Sequence, residues 1–183
     1  MNKWSQKRKI MRRYDLTARM YDERYADEQA AKYQVALKYL DIDGSVLDVG
    51  CGTGLFFSHI VPHAQTVVAA DISRSLLLQS KKRAKVSLNV HLIRADADRL
   101  PFIDSCFDVV FAFTLLQNMP NPLETLSELK RNAKRGAHVV VSGLKKVFSL
   151  DAFTMLLEDA GLQLISFEDG EALKCNVAVT VRR

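Results

Sequence analysis

No stretch of about eighteen apolar residues occurs in the chain, and its first residues carry charge where a secretory leader needs an apolar segment. Neither a membrane span nor an export signal is therefore expected, and the cytoplasm is the default compartment. Cysteine is scarce: Cys51, Cys106 and Cys175 are far apart and unpaired in spacing, which argues against a disulfide framework or a zinc knuckle. The four histidines lack ligand spacing too. His59 and His63 are four apart, but Pro62 interrupts them, so no metal site is expected. There is no internal repeat and no low-complexity segment. What remains, 183 residues with 48% apolar and 26% charged, suits one globular domain with an adequate core and leaves no room for a second.

The net charge of +5 is unevenly placed. Lys3, Lys7, Arg8, Lys9, Arg12 and Arg13 stand in the first thirteen residues with no acid among them, and without these six the chain carries −1. Residues 1–13 therefore read as a basic arm ahead of a single domain at 14–183, suited to phosphate backbones or acidic partners, or else as a frayed solvated terminus.

Beyond the arm, apolar residues spaced over 15–40 predict one or two amphipathic helices. Short β-branched runs then alternate with helices. Strands are expected at 45–49, 65–70, 89–93, 107–113 and 138–142. Helices are expected from Leu55, from the Ser73 cap to about Lys85, from Asn121-Pro122 to near Gly136, and from about Leu150 to Ala160. The tail changes character, with apolar runs at 162–167 and 176–181 flanking Asp169-Gly170 as an antiparallel hairpin. This order predicts an α/β, doubly wound, mostly parallel sheet with ligand at the carboxyl ends of its strands.

The chemistry-bearing residues cluster at those ends. Asp48-Val-Gly-Cys-Gly-Thr-Gly54 lies where the first strand turns into a helix, and Gly50, Gly52 and Gly54 let backbone approach a ligand closely. The spacing is tighter than the Gly-x-Gly-x-x-Gly of dinucleotide sites, which tilts the choice away from NAD. Asp71 closes the second strand, where a carboxylate can accept from both ribose hydroxyls of an adenosine. Asp96 follows the third, where it can accept from an adenine amino group with Ile72 and Leu100 sandwiching the ring.

With Tyr14-Asp-Leu-Thr-Ala-Arg-Met-Tyr-Asp22, Val46 to Gly54, Asp71-Ile-Ser73 and Asp96-Ala-Asp-Arg-Leu-Pro-Phe102 before Phe107-Asp-Val-Val110, the sequence resembles the class I Rossmann-like methyltransferases, type 11, over roughly residues 14–142. The resemblance implies a seven-stranded sheet of order 3-2-1-4-5-7-6 and S-adenosylmethionine as cofactor, with S-adenosylhomocysteine as product. It also implies that Asp48 and the glycine loop, Cys51 included, hold the methionine portion, Asp71 the ribose, and Asp96 with Ala97 the adenine. Tyr14 and Tyr21 match aromatic positions that close over the cofactor, Tyr21 serving core packing equally well. Phe113 and Thr114 would line the methyl-donor side. Methyl transfer is an in-line displacement that positioning largely drives, so Thr114, Gln117 and Asn118 stand as acceptor-side catalytic candidates, against the plainer role of capping the helix at Asn121-Pro122.

Departures bear on the acceptor. Ala112 to Pro122 lacks the Asn/Asp-Pro-Pro-Tyr signature of amino and amide nitrogen methylation, and no Pro-Cys stands there for a pyrimidine adduct. Only Gly143 to Phe148 separates the fifth strand from the next helix, too little for a lid. An open face with a basic arm favours a large acceptor, RNA such as tRNA or a protein, over a quinone-like or other metabolite. The small core also suggests a small activating protein subunit. An NAD-linked oxidoreductase and a non-catalytic cofactor-binding scaffold are the readings from other classes.

Overall fold

The computed structural model describes residues 2–170 and 173–183. Helix α1 (Lys3–Thr17) and a short 3-10 turn (Ala18–Met20) lead into α2 (Tyr21–Ala36). There follow β1 (Ser45–Val49), α3 (Phe57–Ile60), β2 (Thr66–Asp71), α4 (Arg74–Ala84), β3 (Val90–Arg94) and β4 (Phe107–Ala112). A second 3-10 turn (Leu116–Asn118), α5 (Pro122–Asn132), β5 (Ala133–Leu144), α6 (Leu150–Asp159), β6 (Leu162–Glu168) and β7 (Cys175–Arg182) complete the chain.

The strands form one sheet in the order β3-β2-β1-β4-β5-β7-β6. The β1–β2, β1–β4, β2–β3 and β4–β5 pairs are parallel, while β7 runs antiparallel to both β5 and β6. The seven-strand order and the terminal antiparallel pair are as the sequence implied. The connection expected at Asp169-Gly170 continues into residues 171–172, which lie outside the described residues.

The central strands are apolar on both sides because helices cover both faces. One face packs Leu47, Val49, Val110 and Val139 against Leu126 and Leu129 of α5 and Phe153 and Leu157 of α6. The other packs Val46, Phe111 and Val140 against Tyr33 and Ala36 of α2 and Phe56 and Ile60. Ser73, Asn121 and Ser149 cap α4, α5 and α6 with their side-chain oxygens. Among the described residues no helix is long and apolar enough to cross a membrane.

Two expectations fail. Residues 3–17 are a helix, capped by Asn2, whose side chain accepts from the Ser5 N–H at 2.8 Å. The boundary drawn after residue 13 falls inside it, and the segment is neither a loose arm nor a frayed end. Likewise α5 stops at Asn132, short of Gly136. Gly136, with φ 78°, sits within β5 where the pairing shifts between Phe107↔Ala133 and Val109↔His138, so it marks a bulge and not a helix stop.

Candidate functional site

The carboxyl ends of β1, β2 and β4, the glycine loop and α1 enclose a cavity lined by Tyr14, Tyr21, Gly50, Gly52, Asp71, Ile72, Asp96, Ala97, Phe113, Thr114 and Asn118 of the sequence-predicted set. Asp48 and Cys51 line a smaller recess that shares Tyr21, Gly50 and Phe113 with it. Gly54 and Gln117 line neither. Gly54, at φ 79°, leaves room for the Phe57 ring, which an added Cβ would meet at 2.6 Å; its role is to turn the loop. Leu100, expected against the adenine ring, is instead buried in the core below.

The loop is fixed by its own backbone. Gly50 and Cys51 N–H both donate to the Ala70 carbonyl, at 2.8 and 3.1 Å, and Gly52 N–H donates to Asp71 Oδ2 at 2.9 Å. Asp71 Oδ1 accepts from Ser73 N–H at 2.8 Å. Each Asp71 oxygen thus keeps one lone pair for a ligand. Burial raises the Asp71 carboxyl to about 6, against the pull of those backbone donors.

Asp48 is more extreme. It is 3% exposed at the end of β1, and its Oδ2 has no hydrogen-bond partner among the described residues. Burial, with the Asp71 charge nearby, pushes its carboxyl up to about 7. Burial first, then Asp71 and Asp48, also pushes the Cys51 thiol well up.

Helix α1 supplies the wall that sequence reasoning missed. Lys7 Nζ donates to Asp96 at 2.6 and 2.7 Å and pairs with Asp98, although its side chain is only 8% exposed. Its hydrogen bonds to the two carboxylates raise its pKa despite desolvation, which lowers it. Ile10 also lines the cavity. Asp15 accepts from Ser73 Oγ and Ser75 N–H, at 2.6 and 3.0 Å, and so sits at the N-terminus of α4. Asn118 donates to Tyr14 OH at 3.1 Å and to the Thr114 carbonyl at 3.0 Å, while its Oδ1 accepts from Arg13 at 3.0 Å. That amide is engaged in tying α1 down, and Asn121 is the residue that caps α5. The signal was present as Lys7, Ile10 and Tyr14 at i, i+3 and i+7, one helical face.

On the opposite wall α2 delivers Gln29 and Lys32 to Thr114, also unforeseen. Lys32 Nζ donates to Thr114 Oγ1 at 2.8 Å and pairs with Glu28 at 3.1 Å. Gln117 Oε1 is buried without a partner among the described residues. No cluster of His, Cys, Asp and Glu able to hold a metal occurs among the described residues.

Residues 47–141 match a family described as a methyltransferase domain, type 11. The chain is 34% identical over 148 residues to a malonyl-[acyl-carrier protein] O-methyltransferase of Marinomonas sp., covering 78% of this chain and 54% of that protein. It is 39% identical over 97 residues to a demethylmenaquinone methyltransferase of Staphylococcus saprophyticus, covering 51% and 42%. The chain thus spans about half the length of the curated relatives it matches. Among solved structures, a SAM-dependent methyltransferase from Aquifex aeolicus superposes with a TM-score of 0.80 at 20% identity, covering 92% of this chain and 98% of that one. A putative methyltransferase in complex with the Trm112 activator from Haloferax volcanii gives 0.78 at 16%, covering 92% and 96%. At these identities the two structures speak for the fold.

Proposed function

The chain belongs to the class I S-adenosylmethionine-dependent methyltransferases, and we propose that it transfers the methyl group of that cofactor to a small organic acceptor entering beside Thr114. The residues fit the cofactor. Asp48 Oδ2, buried and without a partner among the described residues, would accept from the amino group of the methionine end. Asp71 would take the ribose on its remaining lone pairs, and Asp96 with Ala97 and Ile10 would border the adenine. Tyr14 and Tyr21, with ring centroids 6.1 Å apart, would close the wall that α1 and α2 provide. When bound, S-adenosylmethionine supplies a methyl group on a positively charged sulfur, so orientation and exclusion of water supply most of the catalysis. The tight glycine loop and the family match leave the oxidoreductase reading without support.

One observation carries the choice of a small acceptor over RNA: three of the six cations of the basic segment are engaged on the protein itself, and only Arg8, Lys9 and Arg12 stay exposed without a partner among the described residues. Lys7 is locked onto Asp96 and Asp98, Lys3 pairs with Glu124, and Arg13 binds Asn118 while lying over the Tyr14 ring. Cations consumed in this way are poor phosphate contacts. The relatives' names, which describe an acyl and a quinone acceptor, point the same way. The test is titration calorimetry with S-adenosylhomocysteine and NAD, followed by labelled methyl transfer into fractionated small molecules, acyl carrier proteins and RNA. Binding of the sulfur nucleoside and label outside the RNA fraction are expected. Label confined to RNA removes the small acceptor, and binding of NAD alone removes the whole reading.

A protein partner is a second reading, favoured by the β3 edge. The Asn89 carbonyl accepts from Val67 N–H and Ala95 N–H donates to the Asp71 carbonyl, so by alternation Val90, Leu92 and Arg94 turn their amides away from β2. Beside that free edge lies an apolar groove on Leu77, Leu78, Val90 and Leu92, rimmed by Arg74, Lys81, Lys85 and Arg94, and the nearby Val86 and Leu88 are exposed. A partner strand with acidic flanks would add to this edge. The isolated chain should then self-associate until Leu78 and Leu88 are replaced by glutamate. A monodisperse monomer at high concentration counts against it.

A further inference from the structure

Thr114 adopts a left-handed backbone, φ 58°, which is costly for a β-branched residue. The conformation is held from both sides: Thr114 N–H donates to Ser142 Oγ at 2.8 Å, and its carbonyl accepts from Asn118 Nδ2 at 3.0 Å. The residue so placed lines the cavity beside Phe113 and Leu115.

Behind it lies a polar cluster in which Lys32 has no exposure and Gln29 is 4% exposed. Burying an ammonium is costly unless it is paired, and here Nζ has Glu28 at 3.1 Å and Thr114 Oγ1 at 2.8 Å. Gln29 Nε2 donates to the same hydroxyl at 3.0 Å and to Tyr21 OH at 3.3 Å. A threonine hydroxyl has two lone pairs and one proton. The ammonium and the amide take both lone pairs. Among the described residues the proton finds only Gln29 Oε1, at 3.4 Å, the other end of an amide already engaged.

We infer that Thr114 is a fixed hydrogen-bond donor to the methyl acceptor, oriented by the buried Lys32 and Gln29, and that it selects a charged or electron-rich oxygen: a carboxylate, enolate or phenolate. A group presenting only N–H there would meet a donor facing a donor, and a neutral hydroxyl or amide oxygen would accept more weakly than an oxyanion does. The neighbouring ammonium adds to the preference by polarising the hydroxyl. Lys32 and Gln29 are positioning residues, and only Thr114 touches the acceptor. This inference rests on the reading that a small acceptor enters beside Thr114.

Two probe pairs test it, benzoate with benzamide and hexanoate with hexanamide, titrated into the full chain saturated with S-adenosylhomocysteine and carrying methyl-13C threonine. The Thr114 signal is identified by its loss in Thr114→Ala. Each acid should bind roughly tenfold tighter than its amide and should move the Thr114 signal. Calorimetry should show the ratio falling to about one in Thr114→Ala and in the double variant Glu28→Gln/Lys32→Met, which leaves no carboxylate stranded, and being retained in Thr114→Ser. Equal binding of acid and amide, absence of binding by both acids, an unmoved Thr114 signal, or a preference that survives Thr114→Ala overturns the inference. S-adenosylhomocysteine binding is the separate control: if the wild-type chain does not bind it, the methyltransferase reading itself falls and takes this inference with it. If it binds and the acids are not preferred, only this inference falls.

Discussion

Burial beside Asp71 pushes Asp48 up to about 7 and leaves its Oδ2 without a partner among the described residues, so the free protein bears a cost that a ligand can relieve. The folded state keeps a proton that the unfolded chain sheds near 3.8, so stability falls as pH rises from about 4 through about 7. A cationic amino group meeting this carboxylate prefers it ionised, so affinity for S-adenosylhomocysteine should drop as pH falls from 8 to 6. Asp48→Asn is expected to raise the melting temperature of the free protein at pH 8 while weakening S-adenosylhomocysteine roughly tenfold or more. Thermal melts and calorimetry on the same preparation check both, and unchanged affinity would refute the role. Asp48, Asp71 and Asp96 were legible in the sequence because each sits at a strand end, where the fold leaves little choice of direction. Lys32 and Gln29 were not, because nothing in their own helix reveals that Thr114 faces them.

At the scale of elements, α1 behaves as a wall held by polar clasps. Its clasps reach Asp96 and Asp98, the N-terminus of α4, and Asn118. Lys7→Met leaves two carboxylates facing each other without their cation, a loss of about 1–2 kcal/mol given that Asp96 keeps some solvent. It should also weaken S-adenosylhomocysteine. Denaturant titration and calorimetry measure the two effects, and removal of residues 1–13 should cost more affinity than Lys7→Met does. Undiminished binding after that removal would show that α1 is no part of the site. Composition suggested an arm because six cations without an acid look solvated. The acids that Lys3 and Lys7 meet lie some ninety residues or more away in sequence, which no local pattern reveals. The end of α5 was misplaced for a related reason: Gly136 resembles a helix stop, but pairing of Ala133 with Phe107 draws the chain into β5 first.

For the whole molecule, the mostly parallel sheet follows from alternation of β-branched runs with amphipathic helices, its strand order from the family resemblance, and the antiparallel tail from two such runs without a helix between them. The layered core was therefore legible, while the roof over the strand ends was not, since polar contacts between distant segments hold it. The three thiols sit at different depths in this architecture. Cys106 lies part-exposed before β4, Cys175 is buried in β7 and Cys51 is buried in the glycine loop. A maleimide reagent should therefore label Cys106 first, and S-adenosylhomocysteine should slow labelling of Cys51 alone. Cys51 then keeps time for the loop: the rate at which its thiol is caught measures how often the strand-to-helix turn opens, without any knowledge of the acceptor.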